Sequence, residues 1–171
     1  MMIARPEHFD PTHYFMHYIN TAPGDDLMSS LSETERALVT YIDGLATNKG
    51  NFAYAEGKWT VKQVLQHIID TERIMSYRAL RFARKDQSVL PGFDENAYAD
   101  NDYAATLSLN DLRTEFLAVR KATELLYANM NAEVLDFQGV ASQVSISPRA
   151  LGWMLSGHAM HHLNVLNERY V

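Results

Sequence analysis

The chain has 171 residues, is 47% hydrophobic, and carries 21 acidic against 15 basic residues for a net charge of −6. That length and composition suit one globular domain with a real core, while the negative balance makes phosphate backbones and anionic lipid surfaces poor partners. The sequence contains no cysteine, which excludes disulfide scaffolds, thiolate zinc sites, iron–sulfur clusters and cysteine nucleophiles together.

The first twenty residues include Arg5, Glu7 and Asp10 and lack the apolar centre of a signal peptide. No run approaches the roughly 18 apolar residues needed to span a bilayer. A cytoplasmic protein is expected, with neither nucleic acid nor membrane as a partner. No repeat or linker-like stretch divides the chain, so residues 1–171 read as one domain with about twenty peripheral residues at the start.

Strand signals are scarce, and helical spacing dominates. A short helical turn is predicted over Thr12 to Ile19. The first long helix is predicted from Asp25 to Ala46, with Leu27, Leu31, Leu38, Ile42 and Leu45 at helical intervals. The second starts at the N-cap Thr60 and carries Val61, Val64, Leu65, Ile68, Ile69, Met75, Leu80 and Phe82 to about Lys85. There Arg81, Arg84 and Lys85 suit the negative end of the helix dipole.

The third starts at Ser108, with Asp111 placed for a capping box, and runs through Leu112, Phe116, Val119, Leu125 and Leu126 to about Met130. The fourth starts at Ser147, with Pro148 where its missing N–H costs nothing, and runs through Leu151, Met154, Leu155, Leu163 and Leu166. Four amphipathic helices in a chain of this length predict an all-α helix bundle. The connection 86–107 is longer than a bundle needs and reads either as a functional lid or as a packed structural loop.

Among the seven histidines, His158, His161 and His162 share the fourth helix. Positions four apart lie on one face and positions three apart straddle it, so His158 can share a metal ion with His162 or, less comfortably, with His161. His67, an imidazole in an otherwise apolar helical run, needs a partner if it is buried and is the natural third ligand. Three neutral imidazoles leave a divalent ion with open positions, as in catalytic rather than closed structural sites.

Against this stands the reading of a His-x-x-x-His pair as ordinary polar surface, with His161 at the surface or behind the ligands. His8, His13 and His17 form a competing group in a weaker helix. The His-Glu-x-x-His protease signature is absent because Ala159 follows His158. No Glu-x-x-His pair, Gly-rich phosphate loop or Gly-x-Ser-x-Gly elbow occurs either.

The stretch Lys58-Trp59-Thr60-Val61-Lys62-Gln63-Val64-Leu65-Gln66-His67-Ile68-Ile69-Asp70 resembles a segment of the DinB-like proteins, a DNA-damage-inducible family distinct from the polymerase of similar name. Arg78-Ala79-Leu80-Arg81-Phe82-Ala83, Leu90-Pro91-Gly92-Phe93-Asp94 and Gly157-His158-Ala159-Met160-His161-His162-Leu163 extend the resemblance in the same order, from about residue 40 to 171. Gln63 departs from the acidic residue often found at its position. The resemblance implies a four-helix bundle with an up-down-down-up path, often dimeric, with a metal ion on a set matching His67, His158 and His162. It also implies chemistry from a range that includes thiol S-transferases, maleylpyruvate isomerase-like enzymes and proteins classed as hydrolases.

The function expected is therefore that of a metal-dependent enzyme acting on a small molecule, either a low-molecular-weight-thiol S-transferase or a hydrolase. Its ion would be divalent zinc, nickel, iron or manganese. Asp70, one turn after His67, is expected either to orient an imidazole or accept a proton, or to be a solvated carboxylate; Glu72 is expected at the surface. Arg78 and Arg81 are candidates for binding an anionic thiol or carboxylate, or else pair with surface acids. Trp59 and Trp153 read as packing anchors. The competing expectation is a non-catalytic metal-binding or dimerising bundle, in which a homodimer covers the remaining apolar face.

Overall fold

The computed structural model describes residues 1–7, 9, 10 and 12–170. Helices α1 (Phe15–Thr21), α2 (Leu27–Gly44), α3 (Val61–Ala83), α4 (Glu95–Asp100), α5 (Leu109–Ala128), α6 (Ala132–Leu135) and α7 (Pro148–Arg169) are joined by two 3-10 turns, Thr47–Asn51 and Ala104–Thr106. One antiparallel hairpin, β1 (Gly139–Ala141) and β2 (Val144–Ile146), precedes α7.

The long helices begin where local hydrogen bonding starts them. Asp26, Thr60, Ser108 and Ser147 each accept an N–H of the first turn through the side chain. The backbone N–H groups of Thr60 and Ser108 in turn donate to the Gln63 and Asp111 side chains, which closes a capping box at each. Pro148 opens α7.

Helices α2, α3, α5 and α7 make the bundle. α7 packs on both α2 and α3, and α5 packs on both from the other side. Consecutive helices α2 and α3 therefore stand at diagonal corners of the bundle. Short α1 lies against α7. At that crossing a Cβ on Gly157 would stand 1.6 Å from the Tyr18 carbonyl oxygen, so only glycine lets α1 sit this close.

The core divides into two apolar clusters, one around Leu27, Leu31, Phe82, Tyr127 and Trp153, the other around Leu38, Val61, Leu65, Ile68, Phe116 and Leu166. A buried ion pair lies between them. Arg120 donates from Nε and Nη2 to both carboxylate oxygens of Glu72 at 2.8 Å, and from Nη1 to the Leu31 carbonyl and the Thr34 hydroxyl. The surface position expected of Glu72 is thus overturned: the residue is only 1% exposed. A charge can be buried there because a fork of matched donors replaces its water.

Two other positions depart from the apolar pattern. Leu80 and Leu125, expected on core faces, are 38% and 54% exposed. Leu80 instead borders an apolar surface groove between α3 and α5, with Tyr77, Val119 and Leu126. Trp153 is the expected anchor, fully buried with its indole N–H on the Ala4 carbonyl. The connection 86–107 is structured: it holds α4, and Leu90 bridges to Ala141 of the hairpin through backbone hydrogen bonds with Val140 and Ser142. No helix among the described residues is long and apolar enough to cross a membrane.

Candidate metal centre

Helix α3 supplies His67 in its second turn, and α7 supplies His158 and His162 one turn apart. Because α3 and α7 pack directly, the three rings converge. Nε2 of His158 lies 3.0 Å from Nε2 of His67 and 3.1 Å from Nε2 of His162. His158 is buried, and the other two are half-buried. Among the described residues this is the one group of three or more His, Asp or Glu side chains gathered closely enough to hold a metal ion.

The donors themselves fit a cation. An imidazole nitrogen offers in its ring plane either one lone pair or one N–H, so the His158 Nε2 cannot make two good hydrogen bonds to two neighbouring Nε2 atoms. Three lone pairs directed at one ion remove that conflict. Ligands at 2.0–2.1 Å from a tetrahedral zinc stand about 3.3 Å apart, close to the two spacings at His158, and all three ligand atoms lie within 4.8 Å of one another.

Burial keeps the set neutral. It pushes His67 down to about 4, and it pushes His162 down to about 3 with help from neighbouring His67 and His161. His158 falls well below the ordinary range, chiefly through burial. Neutral imidazole is the form that binds a metal ion, so protons compete weakly here.

The rings look onto a cavity of about 210 Å³. Trp59 lies tilted against His67 with ring centroids 4.9 Å apart, and Tyr18 meets His158 edge-on at 5.2 Å. Phe15, Met154 and Phe93 add apolar wall. Along α3 the wall runs His67, Thr71, Met75, Arg78, one residue per turn of the same face. Ser142, at the tip of the hairpin, and Glu95 of α4 complete it.

The other expected site residues fall in different places. Arg78 is 3% exposed and faces the cavity, donating to the Pro91 carbonyl, to the Ser142 hydroxyl and to the Met75 sulfur. Arg81 does not line the cavity; it pairs with Asp86 and bonds the Tyr77 hydroxyl. Asp70 accepts a hydrogen bond from Gln66 at 3.0 Å and lies 3.6 Å from Arg73, and it shares with His67 a narrow crevice beside the main cavity. Burial raises its carboxyl above the ordinary range.

His161 lies outside the triad, with Nδ1 3.2 Å from His17 Nε2. His13 Nδ1 accepts the Phe15 N–H, so His13 and His17 do not gather as a ligand group, and His8 lies outside the described residues. Trp59, expected as a packing anchor, packs against the second apolar cluster and also lines the cavity. Tyr18, Thr71, Phe93 and Ser142 were not anticipated. For Thr71 the signal was present, one turn after His67 on the same helix face.

With the geometry in place, comparison with known proteins bears on the reading. The model of the DinB superfamily matches residues 30–166. A relative from Oceanobacillus iheyensis, named as a putative metal-dependent hydrolase, is 30% identical over 119 residues, which cover 64% of this chain and 64% of the relative. The chain thus spans just under two thirds of that relative's length. Among solved structures, YfiT from Bacillus subtilis, described as a probable metal-dependent hydrolase with an unusual four-helix bundle topology, superposes with a TM-score of 0.71. It is 17% identical, with 96% of this chain and 92% of that one covered. A protein from Streptococcus pneumoniae matches with a TM-score of 0.64 at 13% identity, over 93% of this chain and 100% of that one. At these identities the two structures speak for the fold.

Proposed function

We propose a metal-dependent hydrolase acting on a small molecule for this chain, which belongs to the DinB superfamily. The observation that carries the reading is the convergence of three neutral imidazoles on the wall of a cavity large enough for more than the ion. A structural site is closed by four protein ligands, whereas three ligands beside a cavity leave room for water and substrate. The names borne by the relative and by YfiT point to the same class.

In this reading His67, His158 and His162 hold a divalent cation, which when bound supplies Lewis acidity to a water or a substrate carbonyl. The chain's own residues do the remainder. The apolar wall of Phe15, Trp59, Phe93 and Met154 excludes bulk water and strengthens every charge interaction inside. Tyr18 presses against His158 and, through the α1–α7 crossing at Gly157, fixes that imidazole's place. Asp70 accepts a proton by way of the crevice it shares with His67.

The test uses chelator-stripped protein, with zinc added back. Calorimetry is expected to show one tight zinc site in the wild type and none in a folded His158→Ala variant. Hydrolysis of simple carboxylic esters or amides should appear only with the ion. Activity that survives both chelation and His158→Ala, or tight zinc binding with no turnover of esters, amides or thiol-transfer substrates, contradicts the proposal. The second result would favour a non-catalytic metal-binding bundle.

A further inference from the structure

The cavity contains a cation that the metal site does not explain. Arg78 is 3% exposed, and its acceptors are the Pro91 carbonyl at 2.7 Å, the Ser142 hydroxyl at 3.0 Å and the Met75 sulfur at 3.2 Å. None of these carries a charge. The other buried arginine, Arg120, has Glu72 in a two-point fork. Buried arginines are ordinarily matched in that way, because an unpaired charge out of water is costly. Among the described residues Glu95 is the one acid on the cavity wall; it is exposed, and no ion pair there joins it to Arg78.

Two further observations point into the same space. The Thr71 hydroxyl belongs to a residue only 3% exposed, lines the cavity and has no partner among the described residues. Thr21, Thr40, Thr114 and Thr123 all satisfy theirs on the carbonyl one turn back. Ser142 and Gln143 form the hairpin turn with φ of 51° and 66°, the left-handed region that two-residue turns of this kind require and that glycine or asparagine usually fills. Side chains other than glycine are strained there, and the turn brings the Ser142 hydroxyl to Arg78.

From these placements we propose that the substrate is a carboxylate-bearing small molecule whose negative end is held by Arg78 beside Ser142. Its apolar body lies along Met75 and Phe93, its polar middle meets Thr71, and its reacting bond reaches the three histidines. The proposal rests on the hydrolytic reading of the same cavity. The charges support it: three neutral imidazoles leave a divalent ion's charge intact, and Arg78 adds to it with only Glu95 in opposition. The length is also set. Thr71 is one turn from His67, and the Arg78 guanidinium reaches back to the level of Met75, about 12 Å along the axis from His67. The carboxylate is thus separated from the reacting bond by several bonds, which leaves a directly chelating carboxylate as a different arrangement.

The test uses 4-phenylbutanoate and its neutral partner 4-phenylbutanamide as probes, with calorimetry and Trp59 fluorescence on chelator-stripped, full-length protein. The carboxylate should bind at least tenfold more tightly than the amide. Arg78→Gln should abolish that preference while leaving amide affinity in place, and His67→Ala should keep the preference. If Arg78→Gln does not fold, Arg78→Lys decides: a preference reduced several-fold supports the fork, and an unchanged one overturns it. Equal binding of the two probes, no binding of either at millimolar concentration, or a preference that appears only with zinc and vanishes in His67→Ala overturns the proposal. Failure of the metal reading looks different, since zinc uptake would be absent while the carboxylate preference persisted.

Discussion

Replacing Glu72 by alanine strands a guanidinium in the middle of the bundle. Arg120 is fully buried and keeps only the Leu31 carbonyl and the Thr34 hydroxyl once both 2.8 Å bonds to the carboxylate are gone. Each hydrogen bond to a charged group contributes about 1.5–3 kcal/mol, and breaking a buried pair from one side costs about 3–5 kcal/mol. A domain is stable by about 5–15 kcal/mol in all. For a chain of this size each kcal/mol moves the melting temperature by about 2–4 °C, so Glu72→Ala should melt about 6–20 °C below the wild type. The double variant Glu72→Leu, Arg120→Met removes both charges and should recover most of that loss, because apolar side chains of similar volume replace the pair without an orphan. Thermal and urea unfolding of the two variants measure this. A single variant within about 1 kcal/mol of the wild type, or a double variant no more stable than the single, would refute the assignment of this pair as the central polar lock.

The metal-free protein should be sensitive to acid in a stated window. His67 and His162 titrate at about 4 and about 3 when folded, below the ordinary 6.5, so the unfolded chain binds protons first as the pH falls. Their contribution to stability is complete above pH 6.5 and is lost as the pH falls through about 4 and 3; melting curves of the stripped protein should show it, with a shallower fall in His67→Ala. Gly157→Ala places a methyl group against the Tyr18 backbone, which no rotamer change relieves. It should destabilise by about 1–3 kcal/mol or more and weaken zinc binding through His158, as paired melting and zinc titrations would show. Zinc at a hundredfold excess over its dissociation constant should stabilise the wild type by about 2.7 kcal/mol, and a folded His162→Ala variant should show less of that shift.

The bundle and the three-histidine cluster were legible in the sequence because their signals are local. Thr60 with Gln63, Ser108 with Asp111, and Ser147 with Pro148 announce helix starts through bonds made within one turn. His158 and His162 share a helix face by spacing alone, and His67 stands out as a polar residue in an apolar run. Other features depend on residues far apart in the chain. Glu72 and Arg120 meet across 48 positions, so nothing near Glu72 marks it as buried. The hairpin escaped notice because its strands are three residues long and its turn is Ser142-Gln143, without the glycine or asparagine that normally signals one. Arg78 and Arg81 look alike in sequence, and only the folding of Pro91 and Ser142 over α3 separates them. One faces the cavity, and the other is held at the surface by Asp86.

In the proposed function His67, His158 and His162 hold a divalent ion. The most direct measurement is the metal content, by mass spectrometry, of protein purified without a histidine tag, alongside His67→Ala and His158→Ala prepared identically. Close to one equivalent of zinc, nickel, iron or manganese is expected in the wild type, and a loss of that ion in both variants. A folded wild type that carries no ion and takes up none of these four when they are supplied, or variants that retain the wild-type metal content, would contradict it.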